Sequence, residues 1–285
     1  MAKDTVFCAK RTLNCKGKLL LLESPLVMGI LNITPDSFYD GGKWVSTESA
    51  VDHALKMIEL GADIIDIGAQ STRPGADFIQ EDKELQRIIP VIEAIIKENQ
   101  DAIISVDTFQ SRVAKEAVEA GACIINDVSA GMLDDQMFET IAELKVPYVL
   151  MHMKGTPKNM QQNTVYKDVM SEIINFFAEK ISVLHGMGVM DIILDPGFGF
   201  GKTLKHNFHL LRELKAFKLF NLPLIAGVSR KSMIWKAIQS DPEHALIGTV
   251  AANTIALMNG ANILRVHDVR EAVETINIVS YAKNS

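Results

Sequence analysis

Short apolar, β-branched runs alternate along this chain with stretches whose apolar residues recur every three to four positions, and each run ends in polar residues. The eight endings read LNITPDSF, DIGAQSTRPG, SVDT, INDVS, LMHM, LDPGFGFGKT, GVSRKS and RVHDV. The runs have the length and composition of buried strands, and the stretches between them have helical periodicity. Strand, polar tip and helix, repeated eight times, predict an α/β fold, a (β/α)8 TIM barrel whose chemistry lies just past the C-terminal ends of its strands. The predicted strands are residues 26–32, 64–68, 103–107, 123–128, 148–153, 192–195, 224–228 and 263–267. Ahead of them, residues 5–22 read as two short strands with a turn at 14–17. The chain therefore divides into an N-terminal β-hairpin (1–24) and the barrel (25–285), forming a single domain. Such a hairpin plugs the bottom of a barrel, the face that confers stability. Helix 1 should start near Ser46 or Thr47. The connections 33–45 and 70–78 exceed the usual 2–6 residues of strand-to-helix loops, which marks them as lids or binding loops.

Composition narrows the class. With 285 residues, 48% of them hydrophobic, a barrel-sized core is available. A net charge of −6 with pI near 5.7 offers no basic stripe for phosphate backbones, which argues against a nucleic-acid partner. Three cysteines (Cys8, Cys15, Cys123) without CxxC spacing suggest reduced thiols and no structural zinc, although Cys8 and Cys15 could bridge. No apolar run reaches 18 residues and the first residues form no apolar segment, so the expectation is a cytoplasmic protein without a membrane partner.

Two constellations carry chemistry. Asp107, Asn126 and Asp195 end the third, fourth and sixth strands. Two carboxylates and a carboxamide converging on one hole suit a flat ligand with adjacent N–H donors, such as an aminopyrimidinone edge. The competing reading is that each Asp caps the helix after it. Lys231, Arg265 and His267 place positive charge on the seventh and eighth strands, and Arg265 and His267, two apart, share a strand face and can aim at one anion. Alternatively Arg265 pairs with Asp268; as a tip residue facing a pocket it should add little to folding. The segment DPGFGFGKT lacks Walker spacing, and its glycines are read as admitting close approach to a ligand. The first strand has no H-x-H pair and His152 has only methionine neighbours, which argues against zinc. Met28, Met151 and Met153 are read as core or pocket lining.

These motifs together resemble the dihydropteroate synthase family, the sulfonamide-target transferases of folate biosynthesis. The likeness runs from about Leu26 to the end, through MGILNITPDSFYDGG, GADIIDIGAQSTRPG, SVDTF, GACIINDVSAG, HMKGTPKNMQ, ILDPGFGFGKTLKHN, GVSRKSM and ILRVHDV. The resemblance implies condensation of 6-hydroxymethyl-7,8-dihydropterin diphosphate with p-aminobenzoate, giving 7,8-dihydropteroate and pyrophosphate, with Mg2+ as cofactor and a homodimer as the assembly. It implies catalytic roles for Asp107, Asp195, Lys231 and Arg265, and a pterin site of Asp107, Asn126, Asp195 and Lys231. It implies a diphosphate site of Asn32, Arg265 and His267, with Asn32 also the metal ligand. It implies a p-aminobenzoate site of Phe38, Thr72, Arg73, Pro74, Phe200 and Ser232. Gln70 departs from the family's usual glutamate before STRPG, and Ala130 from its usual glycine. Two other readings share a pterin site: a methyltetrahydrofolate-dependent methyltransferase and a catalytically silent pterin-binding paralogue. The pairing of NITPDSF with STRPG, and SRK after the seventh strand, favour the synthase.

Overall fold

The structure, a computed structural model, describes residues 12–33, 47–70, 78–160, 162 and 164–284. Strands β1 (Thr12–Cys15) and β2 (Lys18–Leu21) pair antiparallel as the hairpin. The barrel strands are β3 (Leu26–Asn32), β4 (Ile64–Gly68), β5 (Ile104–Asp107), β6 (Ile124–Asp127), β7 (Tyr148–Met151), β8 (Ile192–Asp195), β9 (Ile225–Ala226) and β10 (Ile263–Val266). They lie parallel in the order β8-β7-β6-β5-β4-β3-β10-β9. The ring closes where Leu194 bridges Leu224 and the Leu194 N–H donates to the Pro223 carbonyl at 2.8 Å. Around it run α1 (Thr47–Glu59), α2 (Glu81–Glu98), α3 (Ser111–Ala120), α4 (Met137–Leu144), α5 (Val169–Gly186), α6 (Leu204–Arg212), α7 (Ser232–Ala237), α8 (Leu246–Met258) and α9 (Val269–Asn284).

Several strands stop sooner than their apolar pattern suggests. The seventh run, read over 224–228, is a strand only at Ile225–Ala226. There the chain bends: the Lys231 N–H donates to the Val228 carbonyl at 3.1 Å and Arg230 takes φ 52, which turns Ser229–Lys231 over the barrel mouth. The tips at Val128, at His152 and Met153, and at His267 likewise lie beyond their strands.

Inside the ring, alternation separates two layers. Met28, Ile64, Ile124, Val149, Ile193, Ile225 and Ile263 form an apolar floor with Leu13 and Cys15 of the hairpin, so the hairpin does plug the bottom. Side chains on a strand return to the same face after two residues. Two steps above the floor therefore stand Ile30, Asp66, Asn126, Met151, Asp195, Gly227 and Arg265. The polar layer rests on a dry base, and Cys15 and Cys123, both buried and free, meet there thiol to thiol. Cys8 lies outside the described residues. Met28 belongs to the floor and Met151 and Met153 to a small cluster at the mouth, as read.

Candidate active site

The polar layer is organised by Asp66, which the tip-by-tip reading passed over. Register sets Asp66 of β4 beside Ser105 of β5, and Gly68 beside Asp107, which in turn sits beside Asn126 of β6. Asp66 is fully buried. It accepts from Ser105 Oγ at 2.6 Å, from Asn126 Nδ2 at 3.1 Å and from Arg265 Nε at 2.6 Å. Arg265 Nη2 donates to Asp107 Oδ2 at 2.8 Å. One guanidinium thus bridges two carboxylates. Burial pushes the Asp107 carboxyl up to about 7, with Arg265 pulling it down and Asp66 pushing it further up. Although burial disfavours its charge, Arg265 is held above its ordinary value by these carboxylates and remains a cation.

This pairing corrects two expectations. Arg265 does not pair with Asp268, which belongs to Arg230 through contacts of 2.9 and 2.8 Å. Nor is Arg265 marginal to folding, because removing it would strand two carboxylates in the barrel. Neither Asp107 nor Asp195 caps a helix: α3 starts after Gln110, its Ser111 N–H donating to Asp134 at 2.7 Å, and α6 is capped by Thr203.

Asp195 stands across the ring. Its Oδ1 accepts the Gly197 N–H at 2.7 Å, which fixes the carboxylate and leaves Oδ2 for a ligand. Burial raises its pKa, while Lys231, the Gly197 N–H and Arg265 lower it. Lys231 donates its ammonium to the Phe198 carbonyl and lies 4.5 Å from the centre of the Phe200 ring. Burial pushes this lysine down to about 8 against the pull of Asp195. Asn126 and Asp195 are buried, and Ser232 is half-buried at the start of α7. Phe200 joins Phe109, Val128, Met151, Met153 and Met160 in the apolar wall at the mouth.

The glycines of DPGFGFGKT admit protein rather than ligand. Gly197 takes φ +69, and a Cβ there would lie 2.0 Å from the His152 carbonyl oxygen. Lys202 sits beneath this loop, buried, its Nζ near His152 Nδ1 (3.0 Å) and donating to the carbonyls of Gly197 (2.8 Å) and Phe200 (3.0 Å). Burial brings Lys202 down to about 7 and His152 down to about 2, so the neutral imidazole accepts from the ammonium. His152 therefore has partners beyond methionine, including Phe176 at 5.0 Å between ring centres.

His267 also departs from expectation. It is exposed past the end of β10, with Nδ1 3.0 Å from Ser229 Oγ. Partial desolvation of the ring, then Arg265, lower its pKa from the ordinary value, and Arg265 and Lys231 stand beside it as further cations. Asn32 ends β3, exposed. Phe38, Thr72, Arg73 and Pro74 lie outside the described residues. Ala130 takes φ 53, a conformation in which glycine is unstrained; it is held by Asp127, which accepts from the Ser129 and Gly131 N–H groups at 2.7 Å each.

Comparison with known proteins agrees with this geometry. The family model of pterin binding enzymes matches residues 28–267. A dihydropteroate synthase from Escherichia coli is 48% identical over 266 residues, covering 93% of this chain and 94% of the relative. The crystal structure of Yersinia pestis dihydropteroate synthase with a sulfonamide drug complex superposes with TM-score 0.91 at 44% identity, over 96% of this chain and all of that one (100%). The Xanthomonas albilineans dihydropteroate synthase with 4-aminobenzoic acid gives TM-score 0.90 at 41% identity, over 96% and 99%. On sequence and on fold alike, the chain belongs to the dihydropteroate synthase family, transferases of folate synthesis.

Proposed function

We propose that this chain joins 6-hydroxymethyl-7,8-dihydropterin diphosphate to p-aminobenzoate, releasing pyrophosphate and 7,8-dihydropteroate. The observation that carries the reading is the single ring of Asp107, Asn126, Asp195, Lys231 and Arg265 above an apolar floor. In the proposed site, Asp195 Oδ2 and Asn126 receive the N–H edge of the pterin, with Asp107 beside them and Lys231 along the ring. An arginine carries five N–H donors; the carboxylates occupy Nε and Nη2 of Arg265, and Nη1 is assigned to a phosphate oxygen together with His267. Phe200 and Ser232 line the p-aminobenzoate side, and we assign Phe38, Thr72, Arg73 and Pro74 to the same side.

Two bonds change. The exocyclic C–O bond to the diphosphate breaks, its electron pair leaving with the diphosphate; the arylamine nitrogen forms the new C–N bond and then loses a proton. The arylamine is neutral at pH 7, so the nitrogen needs no strong base. The chain's task is charge: the Asp195 carboxyl faces the pterin as it gives up its leaving group, and Arg265 faces the departing diphosphate. At an effective dielectric near 20, one charge about 4 Å away contributes about 4 kcal/mol, or roughly three decades of rate.

Mg2+ is the cofactor we assign, and the residues present fit it. Asn32 supplies one hard oxygen at the solvent side, and Gly68 beside it places no side chain between that oxygen and Asp107. Mg2+ is commonly held by one or two protein oxygens, with water and substrate phosphates completing its shell. Bound there, it supplies positive charge to the diphosphate. The purified protein should form dihydropteroate from the two substrates, and a chelator should suppress this until Mg2+ is restored. No product under these conditions would overturn the reading.

We assign a homodimer as the assembly. Its support is an outward stripe on α8, with Ile247 83%, Ile255 43% and Met258 55% exposed, beside Ile278 and Tyr281 of α9. Ile247→Glu would place a charge in such an apolar seam and should weaken association at least about 30-fold. Sedimentation velocity across a concentration series checks this; an unchanged dimer would move the interface elsewhere. We place the protein in the cytoplasm, supported by the facing free thiols of Cys15 and Cys123. Among the described residues no helix is long and apolar enough to cross a membrane.

A further inference from the structure

Where β4 runs out, Gln70 is 7% exposed and makes three hydrogen bonds with one carboxamide. Its Oε1 accepts the Ile79 N–H at 3.1 Å, and its Nε2 donates to the Ile79 carbonyl at 3.2 Å and to Glu84 Oε2 at 2.8 Å. The same Glu84 oxygen accepts from Gln110 Nε2 of the β5–α3 connection. Glu84, in the first turn of α2, is fully buried. Next to Ile79, the Phe78 ring meets Phe109 edge to face with centres 4.7 Å apart, and both belong to the wall that contains Phe200.

We infer that Gln70 is a positioning residue for the p-aminobenzoate side, its amide clasping residues 70 and 79 together and anchoring both to Glu84 and hence to the Phe78–Phe109–Phe200 wall. The inference rests on the reading of the site given above. Only a carboxamide satisfies all three partners, because the position needs one acceptor and two donations. A glutamate at this position would set a carboxylate against the Ile79 carbonyl and against Glu84. In this chain Glu84 is surrounded by the neutral side chains of Gln70, Thr108 and Gln110, and the charge it feels next, Glu81, has the same sign. The other charged groups around the cluster are Asp107 of β5, whose carboxyl Glu84 pushes up, Asp82 and Arg87 of α2, Arg112 of α3, which pairs Glu81 and Asp82, and Lys158, 5.7 Å from the Phe78 ring centre.

Gln70→Glu is therefore expected to raise KM for p-aminobenzoate about tenfold at pH 8, about the equivalent of one lost hydrogen bond. KM for the dihydropterin diphosphate should stay within about twofold of the parent. Lowering the pH towards 6 should close the gap, because a proton shared between the introduced carboxylate and Glu84 restores the missing donor; the double variant Q70E/E84Q should close it at pH 8. Gln70→Ala, which lacks the added charge, should show the same split between the substrates without the pH dependence. If Gln70→Glu does not fold, the alanine variant and the double variant carry the test. Equal losses for both substrates in every folded variant, or no loss in Gln70→Ala, would overturn the proposal. The parent's own turnover in the same assay reports separately on the proposed function.

Discussion

Arg265→Ala should lose measurable turnover and also lower stability by about 3–5 kcal/mol, the loss typical of breaking a buried ion pair. Arg265 binds Asp66 at 2.6 Å and Asp107 at 2.8 Å, and Asp66 has no exposed surface (0%). Removing the guanidinium leaves two carboxylates facing each other above an apolar floor, where water cannot easily replace it. The same variant removes the cation assigned to the leaving diphosphate, so activity and stability fall for separate reasons. The double variant R265A/D66N separates them. Neutralising Asp66 should return at least about 1 kcal/mol of stability and none of the turnover. Urea titration of both proteins, with steady-state rates, checks this; a single variant as stable as the parent would show that the carboxylates do not depend on Arg265.

Asp195→Asn should weaken binding of the dihydropterin diphosphate by about 2–4 kcal/mol, or about 30- to 1,000-fold, with little change in Tm. The fold should tolerate the change because asparagine retains an oxygen for the Gly197 N–H that Asp195 accepts at 2.7 Å. The loss falls on the other oxygen. There an acceptor becomes an NH2 group, which faces the donors of the pterin edge and removes the negative charge that steadies a pterin losing its leaving group. Calorimetric titration measures the effect. An unchanged Kd would take Asp195 out of the pterin site.

Much of this site was legible from the chain because barrel chemistry gathers at strand ends. Asp107, Asn126, Asp195 and Arg265 stand at or next to strand ends, where alternation aligns them in one layer, and Lys231 reaches the same site through the turn after β9. Asp66 escaped that search because it lies inside its run, IIDIG, rather than at the tip. A lone carboxylate in an otherwise apolar strand was the signal that would have found it. Its partner Arg265 is 199 positions away, a pairing set by the closure of the ring and not by any local pattern. The basicity of His267 is illegible for a related reason: the chain shows a basic residue near an anion site, but not the partial desolvation and the neighbouring Arg265 that lower its pKa. Lys202 resembles a phosphate-loop lysine in sequence, whereas the fold places it under the loop, holding carbonyls. The clasp at Gln70 joins three segments and has no counterpart in local sequence.

The two-residue step between floor and polar layer bears on which length changes this lineage can tolerate. A single-residue insertion within a strand would turn its polar-layer side chain outward against the helices and bring an aliphatic neighbour into the mouth. A two-residue insertion would preserve the face but raise the charged group by one pleat, about 6–7 Å, out of reach of its partners across the ring. Inserted or deleted residues should therefore accumulate in the connections and not in the strands. Homologues of very different loop length would then share the same spacing from Ile64 to Asp66, Ile193 to Asp195 and Ile263 to Arg265.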